Sequence, residues 1–254
     1  MGCGGSKPSR DNRRKDKRPA RPTIGGPQDV QIHIPRNRAD EHGVPVQQVT
    51  RDIDHDVLLS ALGHVSAYIA RSRQHIAVMA VGGAVNTLYL RSRSTTHDVD
   101  IFGSDFNNQA RMLLDAAMQD AQRHIPGLGT DWLNTETQMW MPGPIHQELT
   151  AAARKQNEKV FDGAGLTIYA APWNYAFSAK ISRLMTGGGD QARPYDLQDA
   201  VIYLHRYIQN HGNRPVPVST ALGWARHYNH EASKDFLNRV NREYRKQYHS
   251  NGLA

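Results

Sequence analysis

Cysteine is almost absent from this 254-residue chain: there is one, Cys3. A single thiol allows neither an intramolecular disulfide nor a cysteine-based zinc site, and it suits a reducing compartment. Long hydrophobic runs are missing as well. None approaches the roughly 20 residues that span a bilayer, and no signal-peptide apolar region is present. Hydrophobic residues amount to 39%, low for the length, partly because the N-terminal stretch holds few; the remainder can still supply a core. One-sided charge is also lacking where the chain should fold. Residues 1–22 carry eight basic side chains against Asp11 and Asp16, which accounts for six of the net +7. The rest is close to neutral, so bulk charge gives no argument for a nucleic-acid groove. The thirteen histidines show no spacing that stands out as a metal-ligand pattern. The length fits one domain with attachments, or two small ones.

What is present begins at the N-terminus, with "MGCGGS". Removal of Met1 would expose Gly2, and Ser6 falls where N-myristoylation prefers a hydroxyl. Cys3 stands beside that glycine, where a thiol delivered to a membrane can be palmitoylated. This start is similar to the dual-acylation signals of G-protein α subunits and Src-type kinases. One myristoyl chain binds weakly, at about 10⁴ M⁻¹. The following "RDNRRKDKRPAR" supplies a further signal, each basic residue adding on the order of 1 kcal/mol at an anionic leaflet. The expectation is a eukaryotic protein on the cytoplasmic face of a membrane, the plasma membrane first.

Residues 1–50, rich in Pro, Gly and Arg, read as a flexible tail and linker, with a short strand expected at "DVQIHI" (29–34). Order is expected from "TRDIDHDVLLSALGHVSAYIARSR", where Ile53, Val57, Leu58, Leu62, Val65 and Ile69 recur at helical spacing and Thr50 or Asp52 can cap the start. "HIAVMAV" (75–81) reads as a buried strand ending at Gly82-Gly83, "AVNTLYLRSR" as a short helix, and "HDVDIF" (97–102) as a second strand. A helix is expected over 105–125, with Met112, Leu113, Ala116 and Ala117 on its buried face. "TDWLN" (130–134) reads as a third strand, "PIHQELTAAARKQ" as a helix and "KVFDGAGLTIYAAP" as a hairpin. From Trp173 onward the chain reads as helical, ending in one long stretch from Ser219 to Tyr248. This predicts an α/β (α+β) fold: a small mixed-sheet core over 51–172 and a helical region over 173–254.

Two features of the core carry chemistry. Residues i and i+2 of a strand share a face, so Asp98 and Asp100 project together. Adjacent, poorly solvated carboxylates repel, and a divalent cation with hard oxygen preference, Mg²⁺ or Mn²⁺, relieves this. A third carboxylate on a neighbouring strand would complete a two-metal site. Gly82 and Gly83, without Cβ, let backbone N–H groups approach a phosphate, and a helix N-terminus behind them adds partial positive charge. Asn86 and Thr87 just beyond can touch the phosphate or serve the helix start. The bland alternatives are a tight turn at the glycines and loop caps at the aspartates, and His97 reads as structural.

The order strand, Gly-Gly, helix, strand with Asp-x-Asp resembles the nucleotidyltransferase superfamily that shares the polymerase-beta-like core. "DWLN", "VFDGAGLTIYAAPWNYAFSAKISRL" and "RPYDLQDAVIYL" look like its abortive-infection-toxin-like branch, over roughly residues 55–210. The resemblance implies metal ligation by Asp98 and Asp100, with phosphate contacts from Gly82 and Gly83. It makes Asp131 the candidate third carboxylate, with Glu136 and Asp162 as lesser options. It places Lys180 on a nucleotide phosphate, with Asn86 beside the glycines. Arg193, Asp196 and Asp199 match a later Arg-x-x-Asp-x-x-Asp helix start, where mutual pairing is as good a reading as catalysis. The implied substrate is a nucleoside triphosphate, ATP first. The acceptor (RNA, protein or small molecule) is left open. The rival reading is a nucleotide-binding or scaffold protein that catalyses nothing.

Overall fold

A computed structural model describes the protein at Met1 and residues 49–103, 107–135, 137, 141, 143–186 and 193–254. Gly2, Cys3, the basic run, the expected strand at 29–34 and Glu136 lie outside the described residues. Among the described residues, no helix is long and apolar enough to cross a membrane.

The architecture is mixed α/β, as the alternating pattern predicts. Strands β1 (Ile53–Asp54) and β3 (Thr95–Thr96) form a small antiparallel ribbon, with Ile53 opposite Thr96. The main sheet has five strands in the order β5-β4-β2-β7-β6, namely β5 (Leu133–Asn134), β4 (Val99–Phe102), β2 (Ile76–Val81), β7 (Leu166–Ala170) and β6 (Lys159–Asp162). It is mixed: β2 runs antiparallel to β4 but parallel to β7, β4 is parallel to β5, and the β6–β7 hairpin is antiparallel.

The apolar run of β2 is buried on both faces. Val78 and Ala80 join the main core with α1 (His55–Arg71) and α2 (Asn108–His124), whereas Met79 joins Phe102, Leu149 and Ala153 under α3 (Gly143–Gln156). Each such side chain contributes about 1.5–3 kcal/mol relative to exposure, so a one-residue slip of register would sacrifice both sides at once. The C-terminal region holds α4 (Trp173–Thr186), α5 (Asp196–Asn210), α6 (Val218–His227) and α7 (Lys234–Tyr248). One cluster of buried residues runs from Val78 and Ile101 in the sheet to Phe177, Leu204 and Val240 in these helices, so the apolar core is continuous across residue 172.

Several local expectations are corrected. Ile53 belongs to β1, and α1 is capped by Asp54, whose carboxylate accepts from Val57 N at 2.9 Å, rather than by Thr50 or Asp52. The buried face of α2 consists of Leu114, Ala117, Met118 and Ala121, while Met112 is 73% exposed; the apolar stripe is rotated because it must meet α1 and Trp132. The expected strand at 130–134 shrinks to Leu133–Asn134, and the one at 97–102 to Val99–Phe102, so that Asp98 stands just ahead of β4. The short helix after the glycines is a five-residue π-helical turn, Val85–Tyr89, closed by Leu90 N donating to Val85 O at 3.0 Å. The long final helix is broken between α6 and α7, where Asn229 takes the left-handed conformation at φ 56°. There His230 Nδ1 meets Ser178 Oγ at 2.9 Å and Glu231 N donates to Ser182 Oγ at 3.0 Å. Ser233 then caps α7 on Phe236 N at 3.3 Å. The break seats the chain on α4 through polar contacts that helical periodicity does not encode.

Candidate functional site

Register brings the glycines and the aspartates together. Val81 lies directly opposite Asp100 across the β2–β4 pair, so the Gly82-Gly83 turn leaves β2 at the end of the sheet where β4 begins. Gly82 has φ +71°, a conformation open to glycine and costly for other residues. Gly83 is required by crowding: a Cβ there would run into Thr96 Oγ1 and would lie 3.7 Å from Arg93 Nη1. Thr96 Oγ1 is held in place by donating to Asp98 O at 3.1 Å. Val99 and Ile101 are fully buried in the core, while Asp98 and Asp100, flanking Val99, are half-buried.

Asp131 stands two residues ahead of β5, at the same end of the sheet. Val99 N donates to Trp132 O at 2.7 Å, which sets Asp98 abreast of Trp132. Trp132 and Leu133 both pack into the main core, so strand alternation begins only at Leu133. Asp131 is buried, at 8% exposure. The residue paired with Asp100 on β5 is Asn134, also buried. Asp162, the lesser candidate, lies on β6 at the far edge, where it pairs with Lys159 at 2.7 Å and accepts from Thr167 at 2.8 Å. Its register partner Thr167 is matched to Ala77, at the other end of β2 from Val81. It is therefore removed from the site.

Beside the glycine turn lies a buried ion cluster. Lys180 Nζ on α4 contacts Asp196 Oδ1 at 2.7 Å and Asp199 Oδ2 at 2.9 Å on α5. Arg183 reaches Asp196 at 3.5 Å, and Arg93 pairs closely with Asp199. Burial pushes the Lys180 ammonium below its usual range, aided by Arg183 and opposed by the two carboxylates. Burial would raise Asp196, but Lys180 and Arg183 outweigh it and hold the carboxyl low. Two acids thus face three cations. The Arg93 guanidinium also stacks on the Tyr195 ring, 3.4 Å from its centroid. Arg193 donates to Tyr195 Oη at 2.8 Å, and its backbone N–H to Asp196 at 2.9 Å. Burial opposes the charge on Arg193; the Tyr195 hydrogen bond and the fields of Tyr195, Asp196 and Asp98 prevail and hold it above its usual range. Arg193 is thereby within electrostatic reach of Asp98.

The matched positions therefore divide. Lys180, Asp196 and Asp199 engage one another. Asn86 is committed within the fold, its amide donating to Gly82 O at 3.2 Å and Tyr203 Oη at 2.8 Å and accepting from Ser92 at 3.1 Å. The Thr87 hydroxyl is buried with no hydrogen-bond partner among the described residues. His97 pairs with Asp52 at 2.9 Å on the surface. Arg93 and Tyr195 escaped the sequence reading. The only signal for Arg93 is its place four residues past the π-helical turn, in "RSRS".

A family profile covers most of the chain: residues 51–251 match the domain of unknown function DUF7582. The chain belongs to that family. No curated protein and no solved structure matches it. The family's span takes in the glycine turn, the aspartates of β4 and the ion cluster alike, so all three belong to a single domain type.

Proposed function

We propose that this is a membrane-anchored, Mg²⁺-dependent nucleotidyltransferase, moving a nucleoside monophosphate from a nucleoside triphosphate to a hydroxyl acceptor. The observation that carries the reading is the pairing of Val81 with Asp100, which sets the Gly82-Gly83 turn against the carboxylates of β4. The donor set fits the metal: Asp100 on β4 and Asp98 just ahead of that strand are half-buried and offer hard carboxylate oxygens, as Mg²⁺ or Mn²⁺ requires. When bound, such an ion neutralises phosphate charge and steadies in-line displacement.

The chain's own residues do the rest by position and charge. Gly82 and Gly83 admit the phosphates close to the backbone. Arg93, beside Gly83, and Arg193, within electrostatic reach of Asp98, supply fixed positive charge. Asp131, at the same end of the sheet, takes the acceptor's proton. The acceptor is a hydroxyl of RNA, protein or a small molecule, and Gly2, Cys3 and the basic tail hold the enzyme on the anionic cytoplasmic leaflet of a eukaryotic plasma membrane.

A second reading has its own support. Asn134, not a carboxylate, lies alongside Asp100, which favours a domain that binds nucleotide and Mg²⁺ without transferring it. The test is incubation with labelled triphosphates, Mg²⁺ or Mn²⁺ and a cell lysate, comparing the native chain with Asp98→Ala/Asp100→Ala. Label transfer that depends on the aspartates supports the enzyme. Nucleotide binding that depends on them without transfer supports the second reading, and neither defeats both.

A further inference from the structure

A cluster away from the glycine turn has its own chemistry. His64 lies on α1, and Asp120 and His124 lie one helical turn apart on α2, so the three side chains face one another across the α1–α2 contact. One ring nitrogen of each histidine and one oxygen of Asp120 all lie within 4.8 Å of one another. His64 Nε2 is 2.7 Å from Asp120 Oδ2, and His124 Nδ1 is 3.7 Å from the same oxygen. Ligand atoms about 2.0–2.1 Å from a tetrahedral zinc ion stand about 3.3 Å apart, between these two values.

The surroundings hold the carboxylate in one orientation. Arg123 donates to Asp120 Oδ1 at 3.1 Å, leaving Oδ2 turned toward the two rings. The rings stack at 5.3 Å between centroids and 23° between planes. His64 and Asp120 are partly buried while His124 is exposed, and His124 Nδ1 lies 2.8 Å from the Asp120 carbonyl oxygen, a contact that a metal ion would replace. The donors, two imidazoles and one carboxylate, suit Zn²⁺ better than Mg²⁺ or Ca²⁺.

The geometry points to a zinc site formed by His64, Asp120 and His124, clamping α1 to α2. Three protein ligands leave a fourth position for water or an outside donor. The site is independent of the nucleotide reading, since none of its ligands belongs to the β2–β4 end of the sheet. The test is titration of the full chain with Zn²⁺ alone, followed by calorimetry, thermal unfolding and the visible spectrum of the Co²⁺-loaded protein. One equivalent is expected to bind and raise Tm, with the Co²⁺ bands of a tetrahedral ion. His124→Ala, a change at an exposed position, is expected to weaken binding by about 100-fold or more, with the fold intact by circular dichroism. His64→Ala should do the same. Undiminished zinc affinity in His124→Ala, or a native chain whose Tm does not respond to zinc, overturns the proposal.

Discussion

Two pairs of aspartates, spaced i, i+2 and i, i+3, meet opposite fates in this molecule. Asp196 and Asp199 are fully buried, and their charge is answered inside the fold by Lys180, Arg93 and Arg183. Asp98 and Asp100 sit half-buried at the start of β4, beside a turn that only glycine fits. A buried carboxylate persists because cations meet it within the protein. A half-buried pair at the mouth of a glycine turn still addresses solvent and whatever solvent carries. The contrast is one of burial: one pair is enclosed among interior cations, the other stands half-buried beside the glycine turn.

Breaking the buried side should have the largest effect. Lys180→Ala leaves two interior carboxylates short of a cation and is expected to cost about 3–5 kcal/mol, read as a lower urea midpoint at pH 7. A loss below about 1 kcal/mol would mean that Arg93 and Arg183 suffice, and that Lys180 is kept for another purpose.

Burial alone is probed by His230, packed against Ser178 on α4. Desolvation drives its pKa down to about 4 from the ordinary 6.5. The unfolded chain then binds a proton that the native state refuses. Stability is therefore full above pH 6.5 and falls as the pH drops from there toward 4, by roughly 3 kcal/mol. Unfolding free energies at pH 7.5 and 4.5 should differ by about that much less in His230→Gln. An identical pH dependence in the variant would show that the imidazole is protonated in the fold.

The glycine turn comes next. Gly83→Ala forces a methyl against Thr96 and should cost about 1–3 kcal/mol, and adding Thr96→Ala should recover much of it. A double-mutant cycle without coupling would remove crowding as the reason for glycine. The smallest effect on stability is expected at the other aspartates. Asp98→Asn/Asp100→Asn should shift unfolding by about 0.5 kcal/mol or less while abolishing Mg²⁺-dependent nucleotide binding in equilibrium dialysis. A large stability loss there would place these residues with Asp196 and Asp199.

Much of this was legible along the chain. The run "IAVMAV" could only be a buried strand, the "DGAG" turn made a hairpin, and the spacing of Leu58, Leu62, Val65 and Ile69 made a helix. What stayed hidden depends on distant partners. The ribbon strands β1 and β3 have two residues each, too few for a period to register. The π-helical turn holds a buried Asn86 bonded to Tyr203, 117 residues away. The same holds for the site. Gly82, Gly83, Asp98 and Asp100 carry a local signature, whereas the pairing of Arg93 with Asp199 spans 106 residues and no local pattern announces it. Asn134 beside Asp100 is a matter of register, which sequence alone leaves undetermined for so short a strand.

The ribbon has a mechanical consequence. Residues 49–54 form a splint across the end of the sheet. Val49 exchanges hydrogen bonds of 3.1 and 3.0 Å with Thr130, the neighbour of Asp131. Four residues later Ile53 pairs with Thr96, which wedges under Gly83 and grips the carbonyl of Asp98. A pull on the chain ahead of Val49 is thus transmitted to the neighbours of Gly83, Asp98 and Asp131 before it strains the sheet behind them. For a domain tethered by its N-terminal tail, the tether would double as a lever on the site.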